Sequence, residues 1–397
     1  MNQIMKRGSI SQKVLCFAAA VLLLLILLPF DFRGVRGNSI TLNIALYPYV
    51  PDQARFEHAI ETLWTERHPD VELNFVAWDC YAEDPRDDLD VFVYDSIFLY
   101  DFLEQGYLLP LTEEDVQNIE DIVPCAISAC EDDGAIYAVP QLLCTNILYG
   151  RKGDDDISDV QTIHELDEVM EEDTLLMSIP DHLSMAFWYL EVGVDLEQKY
   201  SEWTTLPDTD HLDPDIMETL RSLQKMSGME QMTYVPEDRN SYIRGEWFAD
   251  DFGRACIGFS EIMSAMGEAA DDVTFHRISL SDEPDIPMLF ADIASIHARI
   301  DDAKKPLAIE LLNMITGQEA MNMALSAGQE NQSPQYLLSA RMSVYDMLSR
   351  DYPIYGKLKE LVTDPECKVF LVRPSGRAFA EKAKQVLPLP LPQASAQ

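Results

Sequence analysis

Four short segments near the start of the chain restrict its fold more than any other feature. Ile40–Tyr47 (ITLNIALY) alternates apolar and polar residues and turns at Pro48, the pattern of a strand. Gln53–Arg67 places Phe56, Ile60, Leu63 and Trp64 on one helical face, and the pattern ends before Pro69. Val71–Ala77 reads as a second strand. Asp90–Tyr94 (DVFVY) is β-branched and aromatic at consecutive positions, so both of its faces are predicted to be buried, as in a parallel sheet covered by helices. A helix over Ser96–Glu104 follows, with Gly106 just past its end. Strand–helix–strand alternation at this spacing predicts right-handed βαβ units. In such sheets ligand groups gather where strands give way to loops, and Asp95 stands at such an end.

Gly134–Tyr149 predicts two strand pieces around Pro140, and helices follow over Val160–Glu171, His182–Tyr200 and Asp213–Met226. A second strand–helix block spans Arg254–Gly267 (RACIGFSEIMSAMG), with another strand at Val273–Leu280. Pro287–Ile296 is predicted to return to the first group of strands. The remainder is helical over Pro306–Ile315, Gln318–Leu325, Ala340–Arg350, Pro353–Leu361 and Arg377–Val386, before a Pro-rich tail over 388–397 predicted to be loose. The layout predicts an α/β fold of two lobes with a ligand cleft between them. Residues 39–141 and 287–387 would form one lobe and 142–286 the other. Tyr137–Pro140 (YAVP) followed by Asn146–Gly150 (NILYG) resembles the first crossover of periplasmic solute-binding proteins, which implies their type II-like two-lobed fold.

Charge narrows the function. Of 397 residues, 29 are Lys or Arg and 69 are Asp or Glu, a net charge of −40. Phosphate backbones need the opposite sign, so nucleic acid is not an expected partner, whereas a small cation would be drawn in. The same acidity also keeps an exported protein soluble. Lys6, Arg7 and Lys13 precede an apolar run from Val14 to Phe30, so residues 1–38 read as a signal peptide or as an uncleaved signal anchor. The chain is therefore expected outside the cytoplasm, secreted or tethered. The seven cysteines form no CxxC pair and the seven histidines no HExxH, so no metal site is expected. Cys125 and Cys130 fall on poorly matched faces of a predicted helix and are not expected to bridge.

A set of ordered tracts carries more than a generic binding fold requires. They are Tyr47–Pro51 (YPYVP), Trp78–Tyr81 (WDCY), Asp88–Phe98 (DLDVFVYDSIF), Pro140–Asn146 (PQLLCTN), Tyr234–Asp238 (YVPED), Gly258–Glu261 (GFSE), Pro334–Leu338 (PQYLL) and Asp351–Tyr355 (DYPIY). In this order they resemble bacterial thiaminase I (thiamine pyridinylase), from the first strand to Lys384–Leu387 (KQVL). The resemblance implies that Cys144 is the nucleophile and Glu261 the base. It places the site tyrosines at Tyr47, Tyr49, Tyr81 and Tyr242, and acidic ligand contacts at Asp95, Asp195 and Asp292. It implies thiamine and a small nucleophile (an amine, a thiol or a pyridine-like base) as partners, no cofactor and no metal, in a fold that needs no second subunit. Phe259 and Phe290 stand where the family pattern has tyrosines. They keep a ring to stack but lose a hydroxyl, at a cost of ~1 kcal/mol per missing hydrogen bond.

The chemistry suits the residue types. Thiamine joins an aminopyrimidine through a methylene to a cationic thiazolium. Aromatic rings stack on the first and face the second, and carboxylates bind the amino group and a protonated ring nitrogen. A thiolate adding to the activated ring expels the thiazole, and a second nucleophile attacks the methylene and frees the cysteine. Acidic neighbours raise a thiol pKa, so Glu261 is expected to take the thiol proton only when the cation is bound.

Each residue also has a plainer reading. Cys144 and Cys256 both fit an inert buried thiol, Glu261 a carboxylate at a helix start, and Asp95 an N-cap. The alternative function is a receptor for thiamine or a related cation, which needs neither thiol nor base.

Overall fold

The computed structural model describes residues 40–177, 182–199, 205–228, 242–328 and 332–387. The signal or anchor segment, Tyr234–Asp238 and the 388–397 tail lie outside them. The described chain is built on two sheets. The larger holds β1 (Ile40–Ala45), β2 (Val71–Phe75), β3 (Val91–Asp95), β6 (Val139–Cys144), β11 (Met288–Ile296), β12 (Leu338–Ser339) and β13 (Lys368–Val369). Its order is β12-β6-β11-β3-β1-β2, with β13 paired to β11. The smaller holds β7 (Ile147–Arg151), β8 (Leu175–Met177), β9 (Ala255–Gly258) and β10 (Val273–His276), in the order β10-β7-β9-β8. A hairpin of β4 (Glu131–Asp132) and β5 (Ala135–Ile136) stands apart from both.

The βαβ expectation holds for the first strands. β1 pairs in parallel with β2 and β3, and helix Gln53–Arg67 buries Phe56, Ile60, Leu63 and Trp64. All five residues of β3 are buried, as its unbroken apolar run requires. The sheet as a whole is mixed. The returning strand β11 inserts antiparallel between β3 and β6, and all nine of its residues are buried.

Pro140 does not break the strand in which it lies. β6 runs through it to Cys144 and steps across to the smaller sheet at Thr145–Asn146. Proline has no N–H for the ladder, and the register with β11 shifts beside it, Asp292 facing Leu142 and Ile293 facing Pro140. The skipped Gln141 donates Nε2 to Ile315 O at 2.8 Å. Helix Ile163–Val169 is shorter than expected because Thr162 caps it, accepting from Glu165 N at 3.2 Å.

Candidate active site

β6, β3 and β1 run in one direction, so Cys144, Asp95 and Tyr47 all lie at or just past carboxyl ends of parallel strands. The inserted β11 joins them. Its Asp292 lies opposite Asp95, and its Phe290 lies opposite Cys144. Residues two apart on a strand share a face, and cross-strand partners share it too, with Cβ atoms about 5 Å apart. One thiol, one ring and two carboxyls therefore stand together on one face of the large sheet.

Asp95 caps the turn that follows β3 and also faces the tyrosines. Oδ1 accepts from Ile97 N at 3.0 Å, and Oδ2 accepts from the Tyr81 hydroxyl. Tyr81 lies 3.5 Å, oxygen to oxygen, from Tyr47. Tyr49 donates to Asp79 Oδ2 at 2.8 Å and meets the rings of Tyr47 and Tyr81 edge-on, at 5.5 and 5.6 Å. Pro48 spaces Tyr47 and Tyr49, leaving Tyr49 51% exposed at the rim.

The smaller sheet supplies the opposite wall. Gly258 at the end of β9 pairs with Ile147, three residues beyond Cys144, so the 259–261 segment arrives beside the thiol. The Phe259 ring lies 5.8 Å from that of Phe290, which also meets Phe187 at 5.3 Å and Phe370 at 5.4 Å. Glu261 leads into helix Ile262–Met266 and is 5% exposed. Its Oε2 finds no hydrogen-bond partner among the described residues, nor does the hydroxyl of the adjacent Ser260. Tyr242, partly exposed, begins helix Ile243–Ala249, which packs on Ile262–Met266. Gly245 permits that packing, since a Cβ there would sit 2.4 Å from Ile262 O. Gly245→Ala is expected to push the two helices apart and cost about 1–3 kcal/mol, seen as a lowered Tm together with weaker ligand binding.

The charges acting most strongly on the thiol are all negative. Burial raises the Cys144 pKa well above its ordinary value, and Glu261, Asp292 and Asp95 raise it further. Burial pushes Glu261 up to about 7. Asp292 is raised well above the carboxylate range by burial and by the charges of Asp95 and Glu261. Asp95 is also raised by burial, but Ile97 N and Tyr81 oppose the shift. Ile97 N and Tyr81 thus favour the anion at Asp95, while burial and its neighbours' charges disfavour it at Asp292.

Asp195 is not brought to this cluster. Its Oδ2 accepts from Leu280 N at 2.7 Å and from Ser279 Oγ at 3.4 Å, and its Oδ1 from Ile286 N at 2.8 Å. The carboxylate is committed to a loop rather than open to a ligand. Sequence reasoning gave no role to Asp79, which lies in the WDCY tract, or to Cys80, buried against Asp95. The described cysteines are all unbridged, and no group of His, Cys, Asp and Glu that could hold a metal occurs among the described residues.

A family model described as the Thiaminase-1 domain matches residues 145–281, beginning one residue past Cys144 and taking in Glu261. Thiaminase-1 of Paenibacillus thiaminolyticus is 41% identical over 363 residues, covering 89% of this chain and 88% of that one. A structure of Clostridium botulinum thiaminase I in complex with thiamin is 42% identical, with a TM-score of 0.83 over 87% of this chain and 98% of that one. Maltose-bound MalE3 of T. maritima, at 14% identity and TM-score 0.64 over 87% of this chain and 92% of that one, shares the fold alone. The fold is thus the two-lobed type II arrangement. Identity at this level over nearly the whole of both chains shows that this chain belongs to the thiaminase I family.

Proposed function

We propose that this chain cleaves thiamine and passes its pyrimidinylmethyl group to a small nucleophile, with Cys144 as nucleophile and Glu261 as base. One observation carries the residue roles. A buried carboxyl whose Oε2 has no hydrogen-bond partner among the described residues, with a pKa of about 7, stands within electrostatic range of a thiol on which burial and carboxyl charges, and no described cation, act. A receptor has no use for that pair.

In the empty site the thiol keeps its proton. The thiazolium brings in the missing positive charge, and Glu261 then accepts the proton from Cys144 Sγ. Sγ bonds to the pyrimidine carbon beside the one bearing the methylene. The methylene–nitrogen bond breaks, and its electron pair leaves with the now neutral thiazole. An amine or thiol then adds to the exocyclic methylene and the S–C bond opens. The thiolate recovers a proton from Glu261, and the proton lost by the nucleophile passes to solvent. Asp95, as anion, receives the pyrimidine amino group, and Asp292 supplies a proton to a ring nitrogen and takes it back when the S–C bond opens and the ring regains aromaticity. Tyr47, Tyr49, Tyr81 and Tyr242 line the polar side, and Phe259 and Phe290 form an apolar wall beside the sulfur.

The test mixes the protein with thiamine and an aromatic amine and follows free thiazole. A quenched reaction should show the pyrimidinylmethyl mass on the peptide containing residue 144. Thiamine bound and recovered intact, with no thiazole released, would leave only a receptor.

Binding itself should depend on pH. A cation entering a pocket of mostly protonated acids displaces protons from them. Affinity for thiamine is therefore expected to weaken as pH falls below 7, about tenfold per pH unit for each proton released. Calorimetry on the inactive Cys144→Ser variant, in buffers of different ionisation enthalpy, counts those protons. Export belongs to the same proposal, carried by the basic residues ahead of Val14–Phe30. Among the described residues no helix is long and apolar enough to cross a membrane.

A further inference from the structure

Helix His182–Glu197 bears two carboxyls one turn apart, and each holds one of two segments by which the chain steps between the sheets. The first step is Thr145–Asn146, immediately after Cys144. Asn146 Nδ2 donates to Glu191 Oε2 at 2.8 Å. The second step runs from the end of β10 to β11. There Leu280 N and Ile286 N donate to Asp195, while Gln198 Nε2, just past the helix, donates to Pro284 O at 2.7 Å. A narrow pocket lined by Thr145, Asn146, Glu191, Arg277 and Asp285 lies behind the thiol-bearing strand end.

We infer that Glu191 is a positioning residue for the reaction. Through Asn146 it sets how the end of β6 presents Cys144, while Asp195 ties the second step to the same helix. The inference rests on Cys144 being the nucleophile. Neither carboxyl is given contact with the reacting atoms. The groups facing Glu191 are Asn146 from the first step, Asp195 on its own helix, and Arg277 and Asp285 from the second step. Arg277 is largely engaged elsewhere, with Asp285 at 2.9 Å and Asp364 at 3.4 Å. Burial and Asp195 push Glu191 up to about 8, so at neutral pH it holds Asn146 as a neutral carboxyl. Glutamine can copy that role and alanine cannot.

Glu191→Ala is expected to lower kcat about 10- to 100-fold, the effect of a small misplacement of a reacting group, with KM for thiamine within about twofold. Glu191→Gln should restore kcat to within about threefold of the parent, because it keeps the acceptor for Asn146. Asn146→Ala, which removes the partner from the other side, should lose as much as Glu191→Ala, and the double variant should be no worse than either. Alkylation of Cys144 by iodoacetamide, read by peptide mass, should slow in Glu191→Ala and recover in Glu191→Gln. That readout needs no thiamine turnover, so it separates failure of this inference from failure of the proposed function. Equal loss in the Ala and Gln variants, or unchanged alkylation and kcat in both Ala variants, would overturn it. If Glu191→Ala does not fold, Asn146→Ala and Glu191→Gln decide the question by the same measures.

Discussion

Cys144→Ser is expected to stop thiazole release while leaving thiamine binding within a few-fold of the parent. Removing the nucleophile of a covalent mechanism costs on the order of 10⁴-fold or more in kcat, because the step that divides the reaction is lost. Serine cannot substitute here. A hydroxyl is far less acidic than a thiol, and Glu261, with a pKa of about 7, is too weak a base to ionise it. The three carboxyls around residue 144 would penalise an alkoxide as they penalise a thiolate. Binding should survive because the rings and carboxyls proposed to hold the ligand are untouched. Thiazole release read by chromatography, with a calorimetric Kd on the same sample, settles the matter. Turnover within about 100-fold of the parent would remove Cys144 from the nucleophile's place.

Glu261→Gln should move activity and stability in opposite directions. Loss of the base is expected to lower kcat by about 10²–10⁴-fold. Stability should rise, and the direction follows from the shift. Burial raises the carboxyl from 4.5 to about 7, so between those values the folded chain holds a proton that the unfolded chain has lost. The parent therefore loses stability as pH rises through that window, up to about 3 kcal/mol above pH 7. Glutamine never ionises and escapes the loss, less about 1 kcal/mol for the amide hydrogens it leaves unpaired. The gain should be absent near pH 4 and reach about 2 kcal/mol near pH 8, measured as the difference in urea midpoints at the two pH values. A Glu261→Gln variant that turns over normally, or that is less stable than the parent at pH 8, would count against the buried-base reading.

Much of the fold was legible because strands and helices carry local signals. The apolar run of β3, the stripe on helix Gln53–Arg67 and the return of the chain through 287–296 could all be read from residue order. Pro140 misled, since a proline at a register shift breaks nothing when the partner strand absorbs the lost hydrogen bond. Asp195 showed the opposite difficulty. The family resemblance implied a ligand contact for it, whereas loop amides more than eighty residues away take up its oxygens.

By itself, residue order determined the secondary elements, the acid excess that favours a cationic ligand, and the tracts that place one cysteine and one glutamate under suspicion. Tertiary structure alone decided which side chains meet. Strand β11 lies far along the chain from β3 and β6, and only its insertion between them sets Asp292 against Asp95 and Phe290 against Cys144. The acidity of Asp292 followed from the same event, and that of Glu261 from its burial at the opposite wall. A carboxyl's pKa depends on the water it loses and the charges brought beside it, and both are properties of packing rather than of sequence neighbours.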